Sequence, residues 1–101
     1  MKLFYAALLL VVSGSALAQE FFSGKVDDIY IVGQRIVIDG EEYRFSGDTK
    51  IIVSGKLISV YALREGQPIE YALDYQATGQ KKISAIKLLI SEEEAAQYLN
   101  H

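Results

Sequence analysis

The chain has 101 residues, half of them hydrophobic, a net charge of −3 and no cysteine. The missing cysteines exclude disulfides, thiolate metal sites and cysteine nucleophiles. Lysines and arginines are scattered rather than clustered, which argues against nucleic acid as a partner, because neutralising phosphates needs a basic face.

The first eighteen residues read as an export signal. Lys2 is a short positive start, Leu3 to Val12 is an apolar run, and Ala16-Leu17-Ala18 is an A-x-A cleavage pattern. The run is too short to span a bilayer, which needs roughly 20 residues. Cleavage between Ala18 and Gln19 is therefore expected, giving a periplasmic or secreted protein whose mature form has no membrane span. Losing Lys2 takes the net charge from −3 to −4. The 83 residues from Gln19 onward suffice for one small core, burying about 60–65% of the unfolded surface. The expected division is 1–18 signal peptide, 19–90 barrel domain and 91–101 a short C-terminal helix.

Residues 21–53 read as hairpins, rich in Val, Ile, Tyr and Phe and punctuated by Gly24, Gly33 and Gly40. Gly33-Gln34 marks one turn. Asp39-Gly40 predicts a two-residue type I′ turn that pairs Ile36-Val37-Ile38 with Tyr43-Arg44-Phe45. The chain turns again at Ser46-Gly47-Asp48 and re-enters a strand over Thr49 to Val53. Ser59 is placed to cap a helical turn, Val60 to Arg64, with Gly66 as its stop. Pro68, lacking a backbone donor, opens the next strand at an edge or a strand start.

That strand, IEYALDY, alternates Ile69, Tyr71, Leu73 and Tyr75 with Glu70, Ala72 and Asp74. A small barrel takes one face of every strand into its interior. The first set is expected to point inward, with the Tyr71 hydroxyl reaching a partner at the rim and Tyr75 partly exposed. The second set is expected in water. Thr78-Gly79 turns the chain into KKISAIKLLI, where the spacing of Ile83, Ile86 and Leu88 predicts a bulge near Ser84-Ala85. Ser91 and Glu94 predict a capping box opening the last helix. The whole is mainly β: a small five- to six-stranded barrel, OB-like (oligonucleotide/oligosaccharide-binding) or SH3-like, with a short C-terminal helix.

Catalysis finds no support in these residues. The histidine is His101, at the very end, and the serines have no base beside them. Asp39, Glu41 and Glu42 lack calcium-loop spacing and read as a solvated hairpin tip. Glu92-Glu93-Glu94 is explained by helix capping and the helix dipole. No catalytic, cofactor-binding or metal-ligating set emerges, and the chain reads as not an enzyme. Glu70, Asp74 and Tyr75 form the candidate partner surface. A stacking platform for a ligand would need aromatics on neighbouring strands, such as Tyr43 and Phe45, amid basic residues that are missing.

Several segments carry a resemblance: Gly24-Lys25-Val26-Asp27-Asp28-Ile29, Ile36-Val37-Ile38-Asp39-Gly40, Thr49-Lys50-Ile51, and Leu63-x-x-Gly66-x-x-Ile69-x-Tyr71, followed by Gly79 and ISAIKLL. Together they resemble a family of small exported barrel domains. With the chain length, signal peptide and closing IKLL, the sequence is similar to the small periplasmic accessory proteins of type IV pilus (fimbrial) biogenesis, the companions of the large pilus-tip adhesin. The resemblance implies a non-enzymatic role in fibre assembly through contacts with another envelope or pilus-assembly protein, and it brings no catalytic residues. The residues alone leave two other readings open. One is a periplasmic module binding an oligosaccharide, a peptide or single-stranded nucleic acid. The other is an envelope chaperone or inhibitor using an unpaired strand edge.

Overall fold

Strand β1 (Phe22–Tyr30) serves two neighbours in succession, and the barrel is built around that fact. The computed structural model of the chain describes residues 19–77, 79 and 81–100, so the export signal with Ala18, and also Thr78 and His101, lie outside the described residues. Phe22 to Lys25 pair antiparallel with β6 (Pro68–Leu73), and Val26 to Tyr30 pair antiparallel with β2 (Arg35–Ile38). The change of partner falls between Lys25 and Val26, and just before it, at Gly24, a Cβ would sit 2.6 Å from Ile38 Cγ2 and 3.2 Å from Tyr71 Cε1. A side chain has no room there. The register then slips between Val26 and Asp28. Asp27 is the extra residue of this bulge, and its carboxylate accepts the Gly40 N–H at 2.6 Å.

Asp39 and Gly40 both have positive φ, 50° and 84°, as the type I′ turn requires. The hairpin pairs β2 with β3 (Glu41–Arg44), Ile36 opposite Tyr43 and Ile38 opposite Glu41. Its second strand therefore starts two residues earlier than the expected Tyr43, and Phe45 lies past its end. A two-residue loop leaves no other register.

Closure comes from β7 (Ile83–Leu88). Arg44 makes a parallel bridge to Lys82, its N–H donating to the Lys81 carbonyl at 2.7 Å. After the loop 45–49, β4 (Lys50–Val53) pairs parallel with Ala85 to Leu88. Thr49 stitches that loop down, its hydroxyl donating to the Ile83 carbonyl at 2.7 Å and accepting the Ser46 N–H at 3.0 Å. So β3 and β4 act as one broken strand along β7. The seven-stranded sheet, in order β3-β2-β1-β6-β7-β4-β5, closes as a five-stranded OB-like barrel with β5 (Lys56–Ile58) as an appended arm. The arm is turned by Ser54 and Gly55, φ 50° and 80°, a hairpin the sequence reading did not mark.

Between β5 and β6 the expected helical turn is only a 3₁₀ turn, Val60–Ala62, with the Ser59 hydroxyl accepting the Tyr61 N–H. It stops early because Leu63 is extended and the Arg64 N–H goes to the Gln67 side chain at 2.7 Å. Gly66, at φ 87°, donates to the Val26 carbonyl and turns the chain into β6 instead of ending a helix. The bulge on β7 is where it was expected: Ala72 pairs with Ala85 and Leu73 with Ile83, leaving Ser84 as the extra residue. Helix α1 (Glu92–Leu99) starts at Ser91, whose hydroxyl accepts the Glu94 N–H at 3.1 Å. Glu94 itself turns to the Tyr98 hydroxyl, so the box is capped from the serine side. The core is one cluster in which Val26, Ile36, Ile38, Ile69, Ile83 and Ile86 are fully buried.

Candidate partner surface

Ile69 is buried in the core, while Tyr71 and Leu73, expected to be core as well, are half-buried and pack against it. Tyr71 lies between Phe22 and Tyr43, with ring centroids at 5.8 and 5.5 Å, and its hydroxyl is 3.4 Å from that of Tyr43. Burial and the bond to Tyr71 push the Tyr43 phenol well above its ordinary pKa. Tyr43 and Phe45 are buried. The two aromatics that a stacking platform would need from neighbouring strands are therefore core residues. Two expectations fail on this strand: it ends at Leu73, so that Tyr75 lies in the turn beyond it and not on the inward face, and Ala72, on the outer face, is fully buried. Its cross-strand partner is the equally small and buried Ala85, so neither methyl stands clear of the longer side chains around the pair.

The three candidate surface residues do not share one environment. Glu70 lies on the outer face of β6, half-buried, opposite Lys87. The Asp74 carboxylate accepts the Gln76 N–H at 3.0 Å and stands 3.9 Å from Lys82, so it is engaged in shaping the turn. Tyr75 is 73% exposed and presents its ring to solvent.

The acidic clusters have structural occupations. Asp39 accepts the Lys25 N–H, Glu41 pairs with Lys81 at 2.5 Å and Glu42 with Arg35 at 3.0 Å, which pins the hairpin tip to its surroundings. Among the described residues no group of three or more His, Cys, Asp or Glu is placed to hold a metal ion. The sequence also offers no thiol and a single thioether, Met1, for soft metals. Hydrogen bonds to carboxylates raise the Tyr30 and Tyr98 phenols, through Asp28 and Glu94. Glu41 raises Lys81, whereas Ser46 and Lys82 lower Asp48. Every one of these shifts moves its group away from neutrality, the opposite of what acid–base catalysis requires.

Among the other exposed apolar side chains, two stand beside grooves that local pattern did not reveal. Tyr61, 62% exposed, stands between two grooves of about 430 Å³ each that share Ile31, Ser59 and Tyr61 as lining. Leu57, 68% exposed, sits on the β5 arm beside a smaller groove against α1. Arg64, which the sequence reading passed over, joins the 3₁₀ turn to α1. Its guanidinium donates to the Leu63 and Tyr98 carbonyls and lies 4.9 Å over the Tyr98 ring, a cation at a helix C-terminus. No helix among the described residues is long and apolar enough to cross a membrane.

The architecture is that of a small β-barrel protein with no catalytic constellation among its described side chains. The fold matches the crystal structure of the fimbrial biogenesis protein PilY2 from Pseudomonas aeruginosa, with a TM-score of 0.55 at 18% identity, covering 81% of this chain and 99% of that one. Two silver(I)-bound structures of CusF, one of them from Escherichia coli, align with a TM-score of 0.49 each. Their identities are 13% and 12%, over 68% and 74% of this chain and 97% and 99% of theirs. No family model matches the chain, and no curated protein matches it in sequence.

Proposed function

We propose that the protein is an exported, non-enzymatic accessory factor of type IV pilus (fimbrial) biogenesis that works by contact with another envelope or pilus-assembly protein. The observation that carries this reading is the barrel shared with a fimbrial biogenesis protein across almost that protein's entire length. An export signal over 1–18, a barrel domain over 19–90 and a C-terminal segment, 91–101, that carries α1 would fit a small periplasmic factor. The resemblance of the strand-and-turn motifs to pilus accessory proteins points the same way. The contact face we assign is the outer side of β6 and the turn after it, Glu70, Asp74 and Tyr75. Tyr75 is the anchor, because an exposed tyrosine offers large contact area at little conformational cost. The test is deletion of the gene in its native cell, scored by surface pili and twitching motility. The expected result is loss of pili, restored by the parent gene and poorly restored by Tyr75→Ala at equal protein level. Normal piliation in the deletion strain would overturn the reading.

A further inference from the structure

Strand β5 ends the sheet order, and no backbone hydrogen bond joins its outer flank to another segment among the described residues. The turn at Ser54-Gly55 makes Val53 and Lys56 the hydrogen-bonded pair beside it and Ile51 and Ile58 the next such pair. Leu57, opposite Ile52 between those pairs, therefore directs both its N–H and its C=O away from β4, toward solvent. Helix α1 runs along the same flank. Its Glu92 pairs with Lys56 at 3.0 Å, and its far end, Leu99, shares a groove lining with Ser59. Between arm and helix lies a groove of about 180 Å³ whose lining is mostly apolar, including Val53, Ile58, Ala95, Ala96 and Leu99. Glu92 stands at its mouth, an exposed carboxylate paired with Lys56, while Glu94 turns away to the Tyr98 hydroxyl.

Natural sheets protect an open edge by keeping it short and by setting lysine on it. β5 is short and carries Lys56, yet the central residue is an exposed leucine and the lysine is tied to α1. We propose that this flank accepts an added strand: an extended segment of a partner protein pairs its backbone with Leu57. The neighbouring side chain of that segment, of Val or Leu size, enters the groove against Leu99, and a basic residue meets Glu92 in exchange for Lys56. The unpaired donor and acceptor demand an extended backbone, the groove demands an apolar side chain, and the Glu92 carboxylate at its mouth favours positive charge. The site is separate from the face at Tyr75, and its test reads peptide binding to purified protein, so it stands or falls apart from the pilus assay.

The probe is a synthetic peptide of about nine residues alternating Val and Lys, titrated into the mature protein by NMR with amide hydrogen exchange. The Leu57 amide is expected to exchange at least tenfold more slowly in the complex. A Val/Glu peptide of equal length should bind at least tenfold more weakly, and a version N-methylated on alternate residues should lose binding. Leu99→Lys, at an exposed helix position, should weaken binding at least tenfold, while Tyr75→Ala leaves it unchanged. Leu57→Pro, which removes the outward donor, should do the same as Leu99→Lys, and if that variant misfolds the helix variant decides. Absence of binding at millimolar peptide, or binding that leaves the Leu57 amide unprotected, overturns the proposal. So does a peptide-free dimer in sedimentation with that amide already protected, since a second copy would then cover the edge.

Discussion

Two glycines separate two reasons for the same residue type. At Gly40 an added Cβ meets nothing within 4 Å, so its role is purely backbone: φ of 84° in a turn whose other residue, Asp39, is also left-handed. Gly40→Val should cost at least 1 kcal/mol or so, because a branched side chain resists that region. Gly24 carries no such φ, and its problem is space, with Ile38 and Tyr71 crowding the position. Gly24→Ala should cost about 1–3 kcal/mol as those side chains are pushed from their rotamers. Urea unfolding checks both. A rescue of Gly24→Ala, but not of Gly40→Val, by Ile38→Val would separate crowding from backbone strain. The first glycine was legible from the Asp-Gly pair alone. The second was visible only as a strand interruption, since what crowds it comes from strands fourteen and forty-seven positions away in sequence.

At the scale of elements, local chemistry was readable and tertiary competition was not. The turns at Gly33-Gln34 and Asp39-Gly40, the bulge at Ser84 and the Ser91 cap each depend on a few adjacent residues, and each is found. Ser54-Gly55 has the same left-handed chemistry, yet it sat inside a stretch read as the approach to a helix. That helix is cut to three residues by Gln67, whose burial the sequence did not announce: its Oε1 accepts the Arg64 N–H and its Nε2 donates to the Ala62 carbonyl at 3.0 Å. Gln67 is buried, and both of its amide atoms are used. Gln67→Leu keeps the bulk but strands a donor and an acceptor, a loss of about 1–3 kcal/mol. Hydrogen exchange should show the 60–67 segment opening first in that variant. Uniform destabilisation with no local opening would mean that Gln67 serves packing alone.

On the scale of the molecule, the seam between the broken strand β3–β4 and β7 decides whether there is a barrel at all, and no local pattern announces a parallel pairing across thirty-five residues. Asp48 sits on this seam, bonded to Ser46 and at 3.1 Å from Lys82. Its carboxyl is held below the ordinary value, so the stabilisation is present above the unfolded pKa and is lost as pH falls through the folded one. Stability measured by urea should therefore decline below about pH 4, less steeply in Asp48→Asn. The flank of β5 was illegible for the same reason as the seam, because exposure of Leu57 is settled by which strand ends up at the rim, whereas Tyr75 at its strand end was already expected to be partly exposed. That origin also gives the means to tell folding from function. Ile86, fully buried where β7 meets both β4 and β6, should lose roughly 2–5 kcal/mol on replacement by Ala. Set against a total of about 5–10 kcal/mol for a domain of this size, that variant should fail in any assay through loss of protein. Glu70→Ala and Tyr75→Ala, at the surface, should stay within about 0.5 kcal/mol of the parent. If Tyr75→Ala holds its urea midpoint and its periplasmic level while pili are lost, the face at the end of β6 is where the partner binds. If pili persist with Tyr75→Ala and are lost with Leu99→Lys at equal protein level, the contact belongs instead to the flank of β5, and the barrel works by lending its open edge.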